Sequence, residues 1–280
     1  MNKQKGFTLI ELLVVIAIIA LLMAILMPAL RYAKQQATGT VCLGNERSLI
    51  IAWHTFPQDN DDNLVGGNPY PGCENYKISW VQAPQNEAGD VITSAFGDLD
   101  YEYEVWGLKR GQLWPYLKTP KVYHCPGDQR KLLPAESSAY RSYSVLWTMN
   151  GSYSRAHETD PVYDTGEVAH KYNQIRNAPS KLVFVEDQDD RSWNMGSWVM
   201  RPVGHRWTDS LGLWHVDSGT LAFADGHAER HKWRDKRTIE YFKDPYNYSF
   251  EHSSPDNPNQ DLIFVQKAYL PTGKGPGEHN

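Results

Sequence analysis

The 280-residue chain lacks the concentrations of charge that mark a nucleic-acid-binding surface. Its formal net charge is −5, and it contains no block of five or six like charges and no basic stripe interleaved with aromatic residues. It also lacks the Gly-x-Ser-x-Gly, His-Glu-x-x-His and phosphate-loop motifs that carry hydrolytic or nucleotide chemistry. We therefore expect no nucleic-acid partner, no catalytic residues and no resident cofactor.

Cysteine is scarce, with Cys42, Cys73 and Cys125 far apart and no Cys-x-x-Cys pair. This spacing does not match a zinc-cluster motif. In an oxidising compartment three cysteines allow one disulfide and one remaining thiol. The residues alone leave the pairing open.

Charge is almost missing from the N-terminal region, where Glu11 is the single charged residue between Phe7 and Leu30. A helix of this length extends about 36 Å, which suffices to cross a hydrocarbon core of about 30 Å. The apolar region of a secretory signal peptide is shorter, roughly 7–15 residues. The segment therefore predicts a membrane-spanning helix.

Two residues of this helix are unusual for a plain anchor. An ionised Glu11 inside a membrane costs several kcal/mol unless it is paired or lies near the interface, so it either reaches the headgroups or makes a specific contact. Pro28 removes a backbone hydrogen bond and is expected to kink the helix.

The segment from Lys3 to Glu11, Lys-Gln-Lys-Gly-Phe-Thr-Leu-Ile-Glu, resembles the class III leader of type IV prepilins and type II secretion pseudopilins. The resemblance implies cleavage between Gly6 and Phe7 by a prepilin peptidase, with N-methylation of Phe7. It implies that Glu11 neutralises the N-terminal amine of a neighbouring subunit during assembly. Pro28, 21 residues after Phe7, lies where pilin helices often carry proline. The implied partners are other pilin-like subunits, the peptidase and inner-membrane assembly machinery.

The resemblance also sets the expected orientation. Lys3 and Lys5 favour a cytoplasmic N-terminus by the positive-inside rule, although Arg31 and Lys34 compete on the other side. We expect a single-pass protein of the bacterial inner membrane with its head in the periplasm.

The rest of the chain predicts an α+β fold in which the long N-terminal helix packs on an antiparallel sheet. Apolar residues continue at helical spacing, interrupted by Gly39 and Gly44, and predict about 48 helical residues from Phe7 to His54. The predicted division is a leader (1–6), a membrane half (7–30) and an amphipathic half (31–56) of the helix, and a head with a polar tail (57–280).

Within the head, 57–130 is predicted to be irregular and 244–280 to be a polar, proline-rich tail. Asp225-Gly226 predicts a two-residue type I′ hairpin turn. The predicted strands are Ser142–Met149, Leu182–Glu186, Leu211–His215, Thr220–Ala224 and Ala228–Trp233, followed by a helix from Arg234 to Phe242.

A second motif, His215 followed by nine residues and then Asp225-Gly226, resembles the C-terminal signature of a pseudopilin-like family. Segments around Cys42 and Cys125 also resemble that family, and this likeness implies that these two cysteines are paired. The family carries no established enzymatic activity.

Two metal hypotheses remain open. Asp59, Asp61 and Asn63 imitate the start of an EF-hand calcium loop, although the expected glycine and glutamate are replaced, so a solvated turn is the alternative. A second group on the predicted hairpin serves either metal binding or cross-strand hydrogen bonds: His215, Asp217, Asp225, His227 and His231.

The expected function is that of a structural subunit of a type II secretion or type IV pilus-like filament. The alternative is a membrane-tethered module that binds an extracellular polysaccharide or other ligand through a head rich in Trp and Tyr (10 and 16 residues).

Overall fold

A single long helix crosses a four-stranded antiparallel sheet, which confirms the predicted α+β, pilin-like architecture. The computed structural model describes residues 8–92, 100–128, 130, 140–151, 167–188, 197–244 and 252–272. Gly6 and Phe7, the predicted cleavage site, lie outside these residues.

The helix, α1, extends without a break over Leu9–Asp59, which is longer than predicted. It continues through Pro28, and Gly39 and Gly44 do not interrupt it. A glycine in a helix interior costs about 1 kcal/mol relative to alanine, but Gly39 lies at a close contact, since an added Cβ would be 3.2 Å from Cγ of His215. The packing of the helix on the sheet offsets the poor local propensity.

The two halves of α1 have different surroundings. From Leu9 to Leu30 every residue is exposed, and an 18-residue window with a mean hydropathy of 3.2 has no buried part. Gly39 is the first buried residue of the helix, and beyond it one face packs on the sheet through Cys42, Glu46, Leu49 and Trp53. The second half of α1 therefore belongs to the head, and the first half projects from it.

The sheet has the order β1-β2-β3-β4, with each neighbouring pair antiparallel. The strands are β1 (Tyr143–Val145), β2 (Leu182–Glu186), β3 (Ser218–Phe223) and β4 (Ala228–Lys232). All residues of the first three are buried, whereas in β4 only Ala228 is buried.

The predicted strand Leu211–His215 is wrong, because Leu211 forms only an isolated bridge with Asp187. After it the chain leaves the sheet, and Val216 and Asp217 adopt positive φ angles of 53° and 50°. His215, just before this turn, is buried, and β3 begins just after it at Ser218.

The predicted type I′ turn is also wrong. Gly226 has φ +94°, but Asp225 does not have a positive φ, as a type I′ turn requires. The N–H of Phe223 donates to the His227 carbonyl at 2.9 Å, which leaves a three-residue loop. Such loops combine a type I turn with a glycine in the left-handed region.

Three helices lie where the sequence predicted irregular structure or a polar tail. These are α2 (Tyr101–Arg110), α3 (Trp114–Leu117) and α5 (Gln260–Tyr269), whereas α4 (Lys236–Lys243) lies near its predicted position. The Asn259 side chain caps α5 by accepting from the Leu262 N–H at 3.1 Å. Leu262, Val265 and Tyr269 are buried, so this part of the tail belongs to the core.

The tryptophans serve mainly as core residues. Of the nine that lie within the described residues, seven are buried: Trp53, Trp80, Trp147, Trp198, Trp207, Trp214 and Trp233. The tryptophan content of the sequence is therefore largely accounted for by packing in the core.

Candidate functional site

Four chemically reactive side chains meet between α1 and the sheet. Cys42, Cys125, Glu186 and His215 are all buried, and one ligand atom from each lies within 4.8 Å of the others. Nε2 of His215 is 3.2 Å from Sγ of Cys125 and 2.9 Å from Oε1 of Glu186. We call these four residues the cysteine–histidine cluster.

Each member comes from a different element. Cys42 lies on the inner face of α1, and Glu186 is the last residue of β2. Cys125 follows a short 3₁₀ helix (Pro120–Tyr123), and its N–H donates to Oγ of Ser142 at 3.0 Å. His215 precedes β3. The cluster therefore forms only when the helix and the head are packed together.

The His215 ring occupies a space that glycine keeps open. A Cβ at Gly127 would lie 2.6 Å from Cε1 of His215, closer than such contacts normally come. The other ring nitrogen, Nδ1, lies 3.3 Å from Oγ1 of Thr38 on α1. The positive φ of Val216 follows directly, and a β-branched residue in this region is strained. The backbone next to His215 is therefore strained where the imidazole is buried.

Cys42 and Cys125 are joined by a disulfide with a Cα–Cα distance of 5.3 Å, within the usual range of about 4.4–6.8 Å. The bond connects residues 83 positions apart. It fastens α1 to the head. Cys73 is buried and lies outside the disulfide.

A second carboxyl group, Glu46, is buried beside the cluster. It lies one helical turn after Cys42 on the same face of α1, and neither carboxyl oxygen has a hydrogen-bond partner among the described residues. Burial, followed by the charge of Glu186, raises the pKa of Glu46 well above its ordinary value, while Thr220 acts in the opposite direction. The surroundings of Glu46 therefore favour the uncharged form of its carboxyl group.

An ion pair supports the loop that carries Cys125. Arg130 and Asp128 are both buried and lie 2.6 Å apart, and Oδ2 of Asp128 also accepts from Ser142 at 2.7 Å. Burial by itself would raise the pKa of Asp128, but the charge and hydrogen bonds of Arg130 hold it below its usual value. Ser142 in turn accepts from Cys125, so the pair fixes the position of the cysteine.

The structure does not bring the predicted hairpin group together. His215 lies before the start of β3, whereas Asp225 and Gly226 form the turn at its other end. Asp225 accepts from the His227 ring at 2.5 Å, and His231 stacks on Phe264. The interpretation of this hairpin as one metal site is therefore wrong, and the motif combines an interior histidine with a turn.

The calcium candidates line a cavity of about 1340 Å³ that also contacts Glu74 and Trp147. Asp59 accepts a hydrogen bond from the Tyr116 hydroxyl at 2.9 Å, and the Asn63 amide donates to the Asn60 carbonyl at 2.8 Å. Asp61 also lines this cavity. Calcium binding there stays a prediction.

Glu11 has a local partner that the sequence argument missed. Its carboxylate accepts from the N–H and the hydroxyl of Thr8 at 2.8 and 2.7 Å, and Oγ1 of Thr8 accepts from the Glu11 N–H at 3.3 Å. This is a capping box, and Thr-x-x-Glu before an apolar run is its sequence signature. Pro28 lies in the exposed half of α1.

Glu186, a member of the cluster, and Glu46 beside it are the other residues of this candidate site that sequence reasoning missed. Glu186 ends an otherwise apolar strand, and Glu46 shares a helix face with Cys42. A carboxylate inside an apolar pattern was the available signal, since such groups are rarely buried without a partner.

Comparison with known proteins places the N-terminal segment clearly. Residues 1–27 match the family model described as the prokaryotic N-terminal methylation motif. The chain is 61% identical over 61 residues to the type IV wide pilus major component of Thermus thermophilus, a match covering 22% of this chain and 47% of that protein. It is 31% identical over 118 residues to a type IV major pilin of Neisseria gonorrhoeae, covering 40% and 62%.

It is also 36% identical over 59 residues to the type II secretion system core protein G of Pseudomonas aeruginosa, covering 21% of this chain and 42% of that protein. The chain thus spans between 42% and 62% of the length of these relatives. No solved structure matches it. The chain therefore carries a prepilin methylation motif on a pilin-like α+β fold, and its relatives are type IV pilins and a pseudopilin. The likeness of the His-x9-Asp-Gly segment to a pseudopilin-like family stays a prediction.

Proposed function

We propose that the protein is a subunit of a type II secretion or type IV pilus-like filament, held in the bacterial inner membrane before assembly. The exposed half of α1 carries this proposal. From Leu9 to Leu30 every residue is exposed, and all side chains except that of Glu11 are apolar. Such a surface requires a nonpolar environment, which lipid supplies first and the corresponding helices of other subunits supply in a filament.

The methylation motif supports a processing step. A prepilin peptidase cuts between Gly6 and Phe7 and methylates the new terminus, with the N-terminus cytoplasmic and the head periplasmic. Mass spectrometry of the membrane-purified protein tests this step. We expect N-methylated Phe7 at the start of the mature chain, and a mature chain that begins at Met1 would contradict the proposal.

The role of Glu11 separates assembly from simple anchoring. Glu11→Gln keeps an acceptor for Thr8, because glutamine also forms a capping box, but it removes the charge that would meet the amine of a neighbouring subunit. We expect this variant to enter the membrane normally and to be lost from the sheared filament fraction. Thr8→Val is the matched control, because it removes the cap and keeps the charge, and it should assemble. Normal assembly of Glu11→Gln would refute this role.

A ligand-binding head is the second candidate function, and the cavity of about 1340 Å³ favours it. Its lining combines acidic and amide side chains such as Asp59, Asn150 and Glu74 with the ring of Trp147, a mixture suited to hydroxyl-rich ligands. Binding of the detergent-solubilised full chain to a glycan array would support this function. An array without a reproducible signal would oppose it.

A further inference from the structure

We propose that the cysteine–histidine cluster is a redox-gated site for a divalent transition-metal ion of the zinc class. The chain would hold the ion while Cys42 and Cys125 are dithiols and release it when the disulfide closes. This inference goes beyond the proposed filament role and does not depend on it.

The donor set has the composition of a zinc site. Two thiolates, one imidazole and one carboxylate are all ligands that zinc accepts, and four such ligands complete a tetrahedron. With bonds of about 2.0–2.3 Å, neighbouring donors in that tetrahedron lie roughly 3.3–3.8 Å apart. The observed separations around His215 are 3.2 Å to Cys125 and 2.9 Å to Glu186. Small side-chain rotations, together with separation of the two sulfurs, would therefore open the space for an ion.

The non-ligating atoms of two members are held from behind. Nδ1 of His215 lies 3.3 Å from the Thr38 hydroxyl, which leaves Nε2 directed at the cluster. Oε2 of Glu186 accepts from the backbone N–H of Thr220 at 3.0 Å, which leaves Oε1 directed at the same point. Metal ligands in proteins are commonly oriented by outer hydrogen bonds of this kind.

The surrounding backbone is shaped for His215 rather than for the disulfide alone. Gly127 and Gly39 both lie against the ring. A Cβ added at these positions would be 2.6 Å and 3.2 Å, respectively, from a carbon atom of His215. Val216 and Asp217 follow with positive φ angles, and strained backbone of this type accumulates at functional sites. A disulfide needs neither the imidazole nor this strain.

A further buried carboxyl group, that of Glu46, lies beside the cluster. This group is fully buried, between the inner face of α1 and the sheet. A cation bound at the neighbouring donors would give this buried carboxyl group a favourable electrostatic partner. Glu46 lies one turn from Cys42 on the same face of α1, so its carboxyl group is beside the donors but outside the four that complete the tetrahedron.

Closure of the disulfide and release of the ion form one two-electron step. Closing the disulfide removes two electrons from the two metal-bound thiolates and passes them to an oxidant of the disulfide class, which becomes two thiolates. The ion loses half of its ligands and leaves. In the opposite direction, a dithiol reductant supplies two electrons and two protons to open the bond, and binding of the ion then displaces the two thiol protons. The disulfide and the ion therefore exclude each other.

The test uses the purified full chain in detergent under anaerobic conditions. One sample keeps the disulfide, and the other is reduced with a phosphine and desalted; both are titrated with Co²⁺, whose thiolate charge-transfer and tetrahedral d–d bands report the ligands, and then with Zn²⁺. We expect one equivalent to bind to the reduced chain and none to the oxidised chain. His215→Asn should lower the affinity by more than the roughly 10–100-fold typical of outer hydrogen-bond partners.

Cys73→Ser is the matched control, because Cys73 lies outside the disulfide, and it should bind the metal as the wild type does. The proposal is overturned if the reduced wild type gives no thiolate–cobalt band, or if His215→Asn binds unchanged. Near-UV circular dichroism covers the case in which reduction unfolds the head. Recovery of the signal on adding Zn²⁺ would then support the site, and failure to recover would overturn it.

Discussion

Removal of the Cys42–Cys125 bond should destabilise the head by about 4.5 kcal/mol. The bond closes a loop of 83 residues. In the chain-entropy treatment, a loop of that size lowers the entropy of the unfolded chain by about 15 cal/mol/K, which corresponds to about 4.5 kcal/mol at 25 °C. Folded domains have total stabilities of about 5–15 kcal/mol, so the bond contributes a large share.

Two perturbations separate the cross-link from the sulfur atoms. Phosphine reduction of the wild type in the presence of a chelator opens the bond and leaves both sulfurs in the core. The Cys42→Ala, Cys125→Ala double variant also removes their volume and should be less stable than the reduced protein. Urea titration followed by tryptophan fluorescence measures both, because Trp53 on α1 is fully buried against the head. With a slope of about 2 kcal/mol/M, the midpoint should fall by about 2 M.

The control is Cys73→Ala, which removes a buried thiol without opening a cross-link. Its free energy of unfolding should fall only by the cost of a small cavity. The double variant bears a cost of the same kind in addition to the loss of the cross-link. A loss of less than about 1 kcal/mol on reduction would refute the reasoning. It would mean that the unfolded chain keeps α1 close to the head without the bond.

Two further predictions concern single residues beside the cluster. Since the pKa of Glu46 is raised by burial and then by the charge of Glu186, the folded state keeps a proton that the unfolded state loses above pH 4.5. The free energy of unfolding should therefore fall as pH rises above that value, by up to about 1.4 kcal/mol per pH unit. Urea titrations across this pH range measure the effect. Glu46→Gln should abolish the pH dependence, whereas the exposed Glu102→Gln should leave it unchanged. Gly127→Ala should lower the thermal midpoint, because the new Cβ would lie 2.6 Å from the His215 ring. Gly44→Ala, at an open helical position, should instead raise stability by about 1 kcal/mol. Equal thermal midpoints for these two variants would contradict the packing around His215.

The fold follows from the sequence where periodicity is strong. The apolar run, the strand Leu182–Glu186 and the sheet around β3 and β4 are visible in the pattern of residues. The errors occur where tertiary contacts override local preference. Leu211–His215 is apolar enough for a strand. However, only Leu211 bridges to the sheet, and the chain has left the sheet where it buries His215. In α5, three apolar residues one or two turns apart are enough to bury a helix within a polar tail.

The candidate site depends on positions far apart in the chain, and this limits what one sequence reveals. Family resemblance pointed to Cys42, Cys125 and His215, although as two separate features. Nothing local indicates that Nε2 of His215 lies 3.2 Å from Cys125 Sγ. Glu186 completes the group only because the antiparallel register places the end of β2 opposite Thr220, near the start of β3.

The position of the disulfide on α1 has a mechanical meaning if the protein is a filament subunit. Gly39 is the first residue of α1 that the head buries, and Cys42 lies within one turn of it. Tension applied to the N-terminal half would therefore reach the head first at this turn, and non-covalent contacts would separate there one after another. The covalent bond passes the load directly to Cys125, whose loop is fastened to Ser142 and the Asp128–Arg130 pair. If this turn instead held a metal ion in the reduced chain, the attachment would be exchangeable until oxidation made it covalent. The cluster thus lies where a change from a labile to a permanent connection has its greatest effect on how firmly the head holds its helix.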